Sequence, residues 1–132
     1  MLDVKNMPEY TTLECSMADL PNMVAGQVRQ SPLENEVPNI CVLYKRTIHL
    51  DVYAITPFCI IRASSRNLDK TSICTLVSAI EQITWTRGKD SGTVEIRTYS
   101  NHSESHYFSD FELLDKFVAE VFSVTRQSLH AK

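Results

Sequence analysis

Glycine is scarce in this chain. There are only three in 132 residues, Gly26, Gly88 and Gly92. They form neither a G-x-G-x-x-G turn nor a phosphate-binding loop, so the common nucleotide-binding motifs are missing. No apolar run approaches the roughly 20 residues that span a bilayer as a helix. The first ten residues, MLDVKNMPEY, lack the basic stretch followed by an apolar one that marks a secretory signal. The formal net charge is −3. That balance argues against nucleic-acid binding, which calls for a strongly basic face, and against avid adhesion to anionic membranes. The four cysteines, Cys15, Cys41, Cys59 and Cys74, make no C-x-x-C pair and no zinc spacing. Three lie in apolar runs, where a free thiol behaves as a small hydrophobe. They read as reduced core residues in a reducing compartment, hence a cytoplasmic location.

What is present is ordinary for a folded domain: 43% hydrophobic and 22% charged residues. Residues 1–39 hold four of the five prolines and little periodicity, and read as a partly irregular N-terminal arm with room for a short helix over 22–30. Residues 40–132 read as one α+β domain. Ile40 to Tyr44 is rich in strand formers. Ile48, Leu50, Val52 and Ala54 then alternate with His49, Asp51 and Tyr53, which predicts one buried face and one wetter face. Phe58 to Ile61 continues as a strand, and Ser64 to Lys70 as a loop.

Residues 71–86 are ambiguous. Ile73, Leu76, Val77, Ile80 and Ile83 recur at near-helical spacing. The Thr, Ser and β-branched neighbours favour two strands instead, Ile73 to Val77 and Gln82 to Thr86. Arg87 to Gly92 is a turn. In Thr93 to Tyr99, Val94, Ile96 and Thr98 face one way and Glu95, Arg97 and Tyr99 the other. His106-Tyr107-Phe108 forms a strand back. A terminal helix follows, with Ser109 and Glu112 as a capping box and Phe108 and Leu113 as its hydrophobic staple. Leu114, Phe117, Val118, Val121, Phe122 and Thr125 make one continuous apolar face, which needs a sheet to cover it.

This order resembles the second half of a pleckstrin-homology (PH) superfamily domain. The runs that carry it are Ala79 to Trp85, Thr93 to Thr98, His106-Tyr107-Phe108 and Phe111 to Val121. The resemblance implies a seven-strand, two-sheet partly open barrel plugged by a C-terminal helix. It implies a binding module that recognises a protein segment, with weak anionic phospholipid contact. Two departures mark this chain: its tryptophan, Trp85, lies on a strand and not in the final helix, and no basic residue follows Lys45-Arg46 until Arg62. If residues 70–81 are helical, the order is similar instead to the small acidic dimeric chaperones of type III secretion effectors, with an α-β-β-β-α-β-β-α fold.

Chemistry-bearing clusters are few. His102 and His106 flank Glu104 and read as solvated residues of a hairpin turn, short of the four ligands of a zinc site. His49 and Asp51 read as a surface pair. No convergent catalytic set, metal site or cofactor motif emerges. Tyr10-Thr11-Thr12-Leu13 matches a tyrosine-based sorting motif, and Asn101-His102-Ser103 a glycosylation acceptor. Such short matches are frequent by chance. Lys45, Arg46, Arg62, Arg66, Lys70, Arg87 and Lys89 are candidates for an anion- or partner-binding rim at the loop ends. The expected partner is a protein or peptide, and a homodimer is open.

Overall fold

The computed structural model describes residues 5–20, 24, 27, 38–66 and 72–130. Its elements are β1 (Thr11–Glu14), a 3-10 turn, β2 (Ile40–Arg46), β3 (His49–Ile55), β4 (Cys59–Ser64), β5 (Ile73–Leu76), a second 3-10 turn, β6 (Ile80–Arg87), β7 (Gly92–Thr98), β8 (Ser103–Phe108) and a C-terminal helix (Phe111–His130). Every sheet neighbour is antiparallel. The strands form a five-stranded sheet, β1-β2-β3-β4-β5, and a three-stranded sheet, β6-β7-β8. Both are open meanders. The class is α+β.

Residues 73–87 are therefore two strands joined at the 3-10 turn Val77–Ala79. The helix that a secretion-chaperone fold needs there does not form, because β5 pairs with β4 and β6 with β7. A β-bulge falls between Ile80 and Gln82, so Glu81 is the extra residue.

The first sheet is covered on both faces. Its inner face (Ile40, Val42, Tyr44, Tyr53, Ile55, Ile60) packs with Val94, Ile96 and the helix residues Leu114, Phe117, Val118, Val121 and Val124. Its outer face (Cys41, Leu43, Leu50, Val52, Ala54, Ile61) packs beneath Leu20 and Val24. This corrects the reading of β3. Asp51 and Tyr53 are buried, so His49 and Asp51 are no surface pair. Ile48 does not begin the strand's buried row. It sits 78% exposed at the β2–β3 hairpin tip, beside Thr47 at φ 51°. Of the four cysteines, Cys41 and Cys59 are buried as expected, but Cys74 is exposed.

Two parts of the N-terminal segment are tied to the first sheet. Thr11–Glu14, which includes most of the sorting-motif match, is a strand on β2. The Gln27 side chain caps β4 in both directions: Nε2 donates to the Ser64 carbonyl at 2.7 Å, and Ser64 N–H donates to Oε1 at 3.1 Å. Val24 and Gln27 are helical, and the rest of the expected helix over 22–30 lies outside the described residues.

The helix cap stands one residue later than the sequence suggests. Asp110, not Ser109, accepts from the Glu112 and Leu113 N–H groups, at 2.9 and 3.2 Å. Ser109 instead donates through its N–H and hydroxyl to Thr12 Oγ1, at 2.8 and 3.1 Å. Lys116 on the helix donates to the Glu14 carboxylate at 2.8 Å.

Gly92 sits at a close approach between the sheet and the helix. A Cβ there would meet Leu114 Cδ1 at 2.4 Å and the Thr86 carbonyl at 2.8 Å. The first contact is a flexible side-chain end, but the second is backbone and cannot yield easily. Gly92→Ala is expected to lower stability by about 1–3 kcal/mol, the usual range for overpacking. Urea unfolding of the two proteins measures it, and an unchanged midpoint would refute the close approach.

Candidate functional site

A concave feature lies between β6 and the C-terminal helix. β6 is an edge strand, with β7 as its only sheet partner among the described residues. One row of its backbone groups is therefore open to pairing. The bulge at Glu81 lets both Ile80 and Ile83 turn inward, and both are partly buried against the core. Trp85 follows on the Ile83 face, 45% exposed, with its ring edge-on to Phe122 at 5.7 Å. The resulting pocket, about 220 Å³, has an apolar floor of Val77, Ile80, Ile83 and Phe122, with Glu81 and Arg126 among its polar walls. A shallower depression continues along the helix past Ala119 and Ser123 and shares Phe122 and Arg126.

A second notable region is a polar seam inside the fold. β8 alternates with period two, so Glu104, His106 and Phe108 all point inward. Glu104 and His106 are thus buried, not solvated as the turn reading had them. Arg62, Thr75 and Tyr53 of the first sheet lie beside them. His106 Nε2 lies 3.7 Å from a Glu104 carboxylate oxygen, too far for a hydrogen bond. Both His106 nitrogens, both Glu104 oxygens and Arg62 Nε lack hydrogen-bond partners among the described residues.

On distance alone the His106–Glu104 contact would be an ion pair, but the environment favours uncharged groups. Burial, with a smaller push from Arg62, holds His106 down at about 3. Burial raises the Glu104 carboxyl above its usual range, tempered by Thr75, Arg62 and His102. Tyr53 packs edge-on to His106 at 4.5 Å, and its hydroxyl accepts from the Tyr107 N–H at 3.1 Å.

No protein-family model, curated protein or solved structure matches this chain.

The six described basic rim residues are spread over both sheets. Arg62 and Arg66 share a pocket of about 320 Å³ with Ser64 and Ile73. Lys45 Nζ donates to the Met7 carbonyl at 2.7 Å. Arg46 lies over the Tyr107 ring, 5.3 Å from its centroid. Arg87 belongs to the other sheet, where it pairs with Asp115 and covers Phe111 at 5.4 Å. Lys89 is exposed in the following turn. Lys70 lies outside the described residues. No group of three or more His, Cys, Asp and Glu among the described residues is placed to hold a metal ion. Among the described residues, no helix is long and apolar enough to cross a membrane.

Proposed function

We propose that this chain is a protein-binding module of PH-superfamily type, which takes an extended partner segment as an added strand on β6. The observation that carries this reading is the open β6 edge beside an apolar groove. Main-chain bonds to such an edge supply affinity, and pockets for alternate side chains supply selectivity. Ile80, Ile83 and Phe122 suit one or two apolar side chains of the incoming segment. Seven strands in two open sheets, β2 to β8, followed by a terminal helix, support the PH-like assignment, with β1 as an addition. Arg62 and Arg66 offer a subsidiary contact for an anionic phosphate group, such as a phospholipid headgroup. The role is binding and not catalysis.

A displayed library of extended peptides, selected on the intact protein, tests the reading. Selected peptides are expected to carry apolar residues at alternate positions. Their affinity is expected to fall at least tenfold on Ile83→Lys, which places a charge in the groove; tenfold corresponds to about 1.4 kcal/mol. Peptides that bind Ile83→Lys equally well would place recognition elsewhere. Binding to anionic vesicles alone, with no peptide selected, would overturn the protein-binding role. A dimer that the same substitution dissolves would make a second copy the occupant of the edge.

A further inference from the structure

We propose that Cys15 and Cys41 are a reversible oxidation site, closing to a disulfide that staples the N-terminal cover onto the first sheet. This inference is independent of the β6 groove, which lies on the other sheet.

The geometry carries it. β1 and β2 are antiparallel with Glu14 opposite Val42, and the Cys15 N–H donates to the Cys41 carbonyl at 3.0 Å. The two cysteines therefore stand across from each other. Directly opposed residues in such a ladder have Cα atoms about 4.5–5.5 Å apart, inside the range of about 4.4–6.8 Å that a disulfide spans. The sulfurs are already in contact, at 3.8 Å. Side-chain rotation can bring them to bonding distance without moving the strands.

The two thiols are also unequal. Cys15 is part-exposed and Cys41 is buried. The contact from the Cys41 thiol lowers the Cys15 thiol below its usual range, against the opposing pull of burial, Asp19 and Glu14. Cys41 is pushed well up by the same contact and by burial. Cys15 is thus the attacking sulfur and Cys41 the resolving one. Cys74 is more exposed, but partial burial and the neighbouring Cys59 push it up to about 11, so it holds little thiolate at neutral pH.

With a peroxide as oxidant the step balances. The Cys15 thiolate attacks one peroxide oxygen and the O–O bond breaks. Cys15 becomes a sulfenic acid, and the other oxygen leaves as water with the thiol's original proton. Cys41 Sγ then attacks the sulfenic sulfur. The S–O bond breaks, and the oxygen leaves as a second water with the Cys41 proton. Two thiols lose two electrons in all, and the peroxide gains them. A thiol reductant reverses the change.

The new bond closes a loop that contains Leu20, Val24 and Gln27. Leu20 and Val24 roof the outer face of the first sheet, and Gln27 caps β4. Oxidation would tie this cover down covalently and raise the melting temperature on the order of 10 °C.

The test treats the intact protein with equimolar hydrogen peroxide, alkylates it under denaturing conditions and maps the peptides by mass spectrometry. The expected product is a Cys15–Cys41 cross-linked pair, reversed by dithiothreitol, with the melting temperature raised in the oxidised sample. Cys15→Ser, at a part-exposed site, should keep its fold and leave Cys41 fully alkylated after peroxide. Cys74→Ser should still cross-link. Preferential oxidation at Cys74, loss of the cross-link in Cys74→Ser, or Cys15 driven to sulfinic acid while Cys41 stays free would each overturn the proposal.

Discussion

Replacing Phe117 with alanine is expected to lower the free energy of unfolding by about 3–5 kcal/mol, the cost of emptying a large aromatic site in a core. Phe117 is fully buried in the middle of the helix face. Its ring meets Phe108 at 5.2 Å, His106 at 5.4 Å and Tyr53 at 6.1 Å, so it touches both sheets at once. Removing it leaves a void walled by strands that hydrogen bonds hold in place, and these cannot close in to fill it. A domain of this size is stable by about 5–15 kcal/mol, so the variant would be close to unfolding. Phe122, part-exposed at the groove, should cost far less when truncated, on the order of 1 kcal/mol. Urea denaturation of both variants decides the matter. A loss below 1 kcal/mol for Phe117→Ala would mean that the helix does not seal the space between the sheets.

Acid should unfold the protein through His106. The imidazole titrates near 3 in the fold against an ordinary value of 6.5. Above pH 6.5 it is neutral in both states and contributes nothing. As pH falls, the unfolded chain gains a proton that the folded chain refuses, so stability drops until about pH 3. The gap is worth about 4–5 kcal/mol at 1.36 kcal/mol per pH unit. Glu104 works in the opposite sense. Its raised carboxyl binds a proton more readily in the fold, so its contribution to stability grows as pH falls toward the ordinary carboxyl value of 4.5. The two partly cancel above pH 4.5. Below it the His106 slope stands alone, worth roughly 2 kcal/mol between pH 4.5 and 3. The groups facing the imidazole are Arg62 from β4, Tyr53 from β3, Glu104 on its own strand and Phe117 from the helix. His106→Phe keeps the ring and removes the proton site. It should flatten the low-pH limb of stability measured by urea unfolding at stepped pH. An equally steep limb in His106→Phe would assign the acid loss to other groups.

Elements that obey a single periodicity were readable from the chain. The helix shows its 3.6-residue stripe because one side meets the sheets and the other meets water. β7 alternates cleanly for the same reason, with Val94, Ile96 and Thr98 in and Glu95 and Arg97 out. The ambiguous stretch was 73–83, and its helix-like spacing comes from the bulge at Glu81. An inserted residue turns Ile80 and Ile83, three apart, to the same side, and so imitates a helix. β3 misled differently. Its polar phase, Asp51 and Tyr53, faces the second sheet, while Leu20 and Val24 arrive from far along the chain to cover the other phase. The burial of His106 was available from the phase of Phe108, two residues on. The β6 groove was not legible, because it exists only once a strand edge and a helix from opposite ends of the second half are set side by side. The basic residues gave charge but no position; Arg62 and Arg66 are brought together in one pocket.

The bonds from Thr12 to Ser109 and from Glu14 to Lys116 span 97 and 102 positions of the chain. A ribosome that has finished the first sheet has not yet made the residues that cover its inner wall. Tyr53, Ile55 and Ile60 must wait, greasy side outward, for roughly fifty more codons. The nascent protein is therefore at its most vulnerable to sticking and to chaperone capture in the interval before the helix Phe111–His130 emerges.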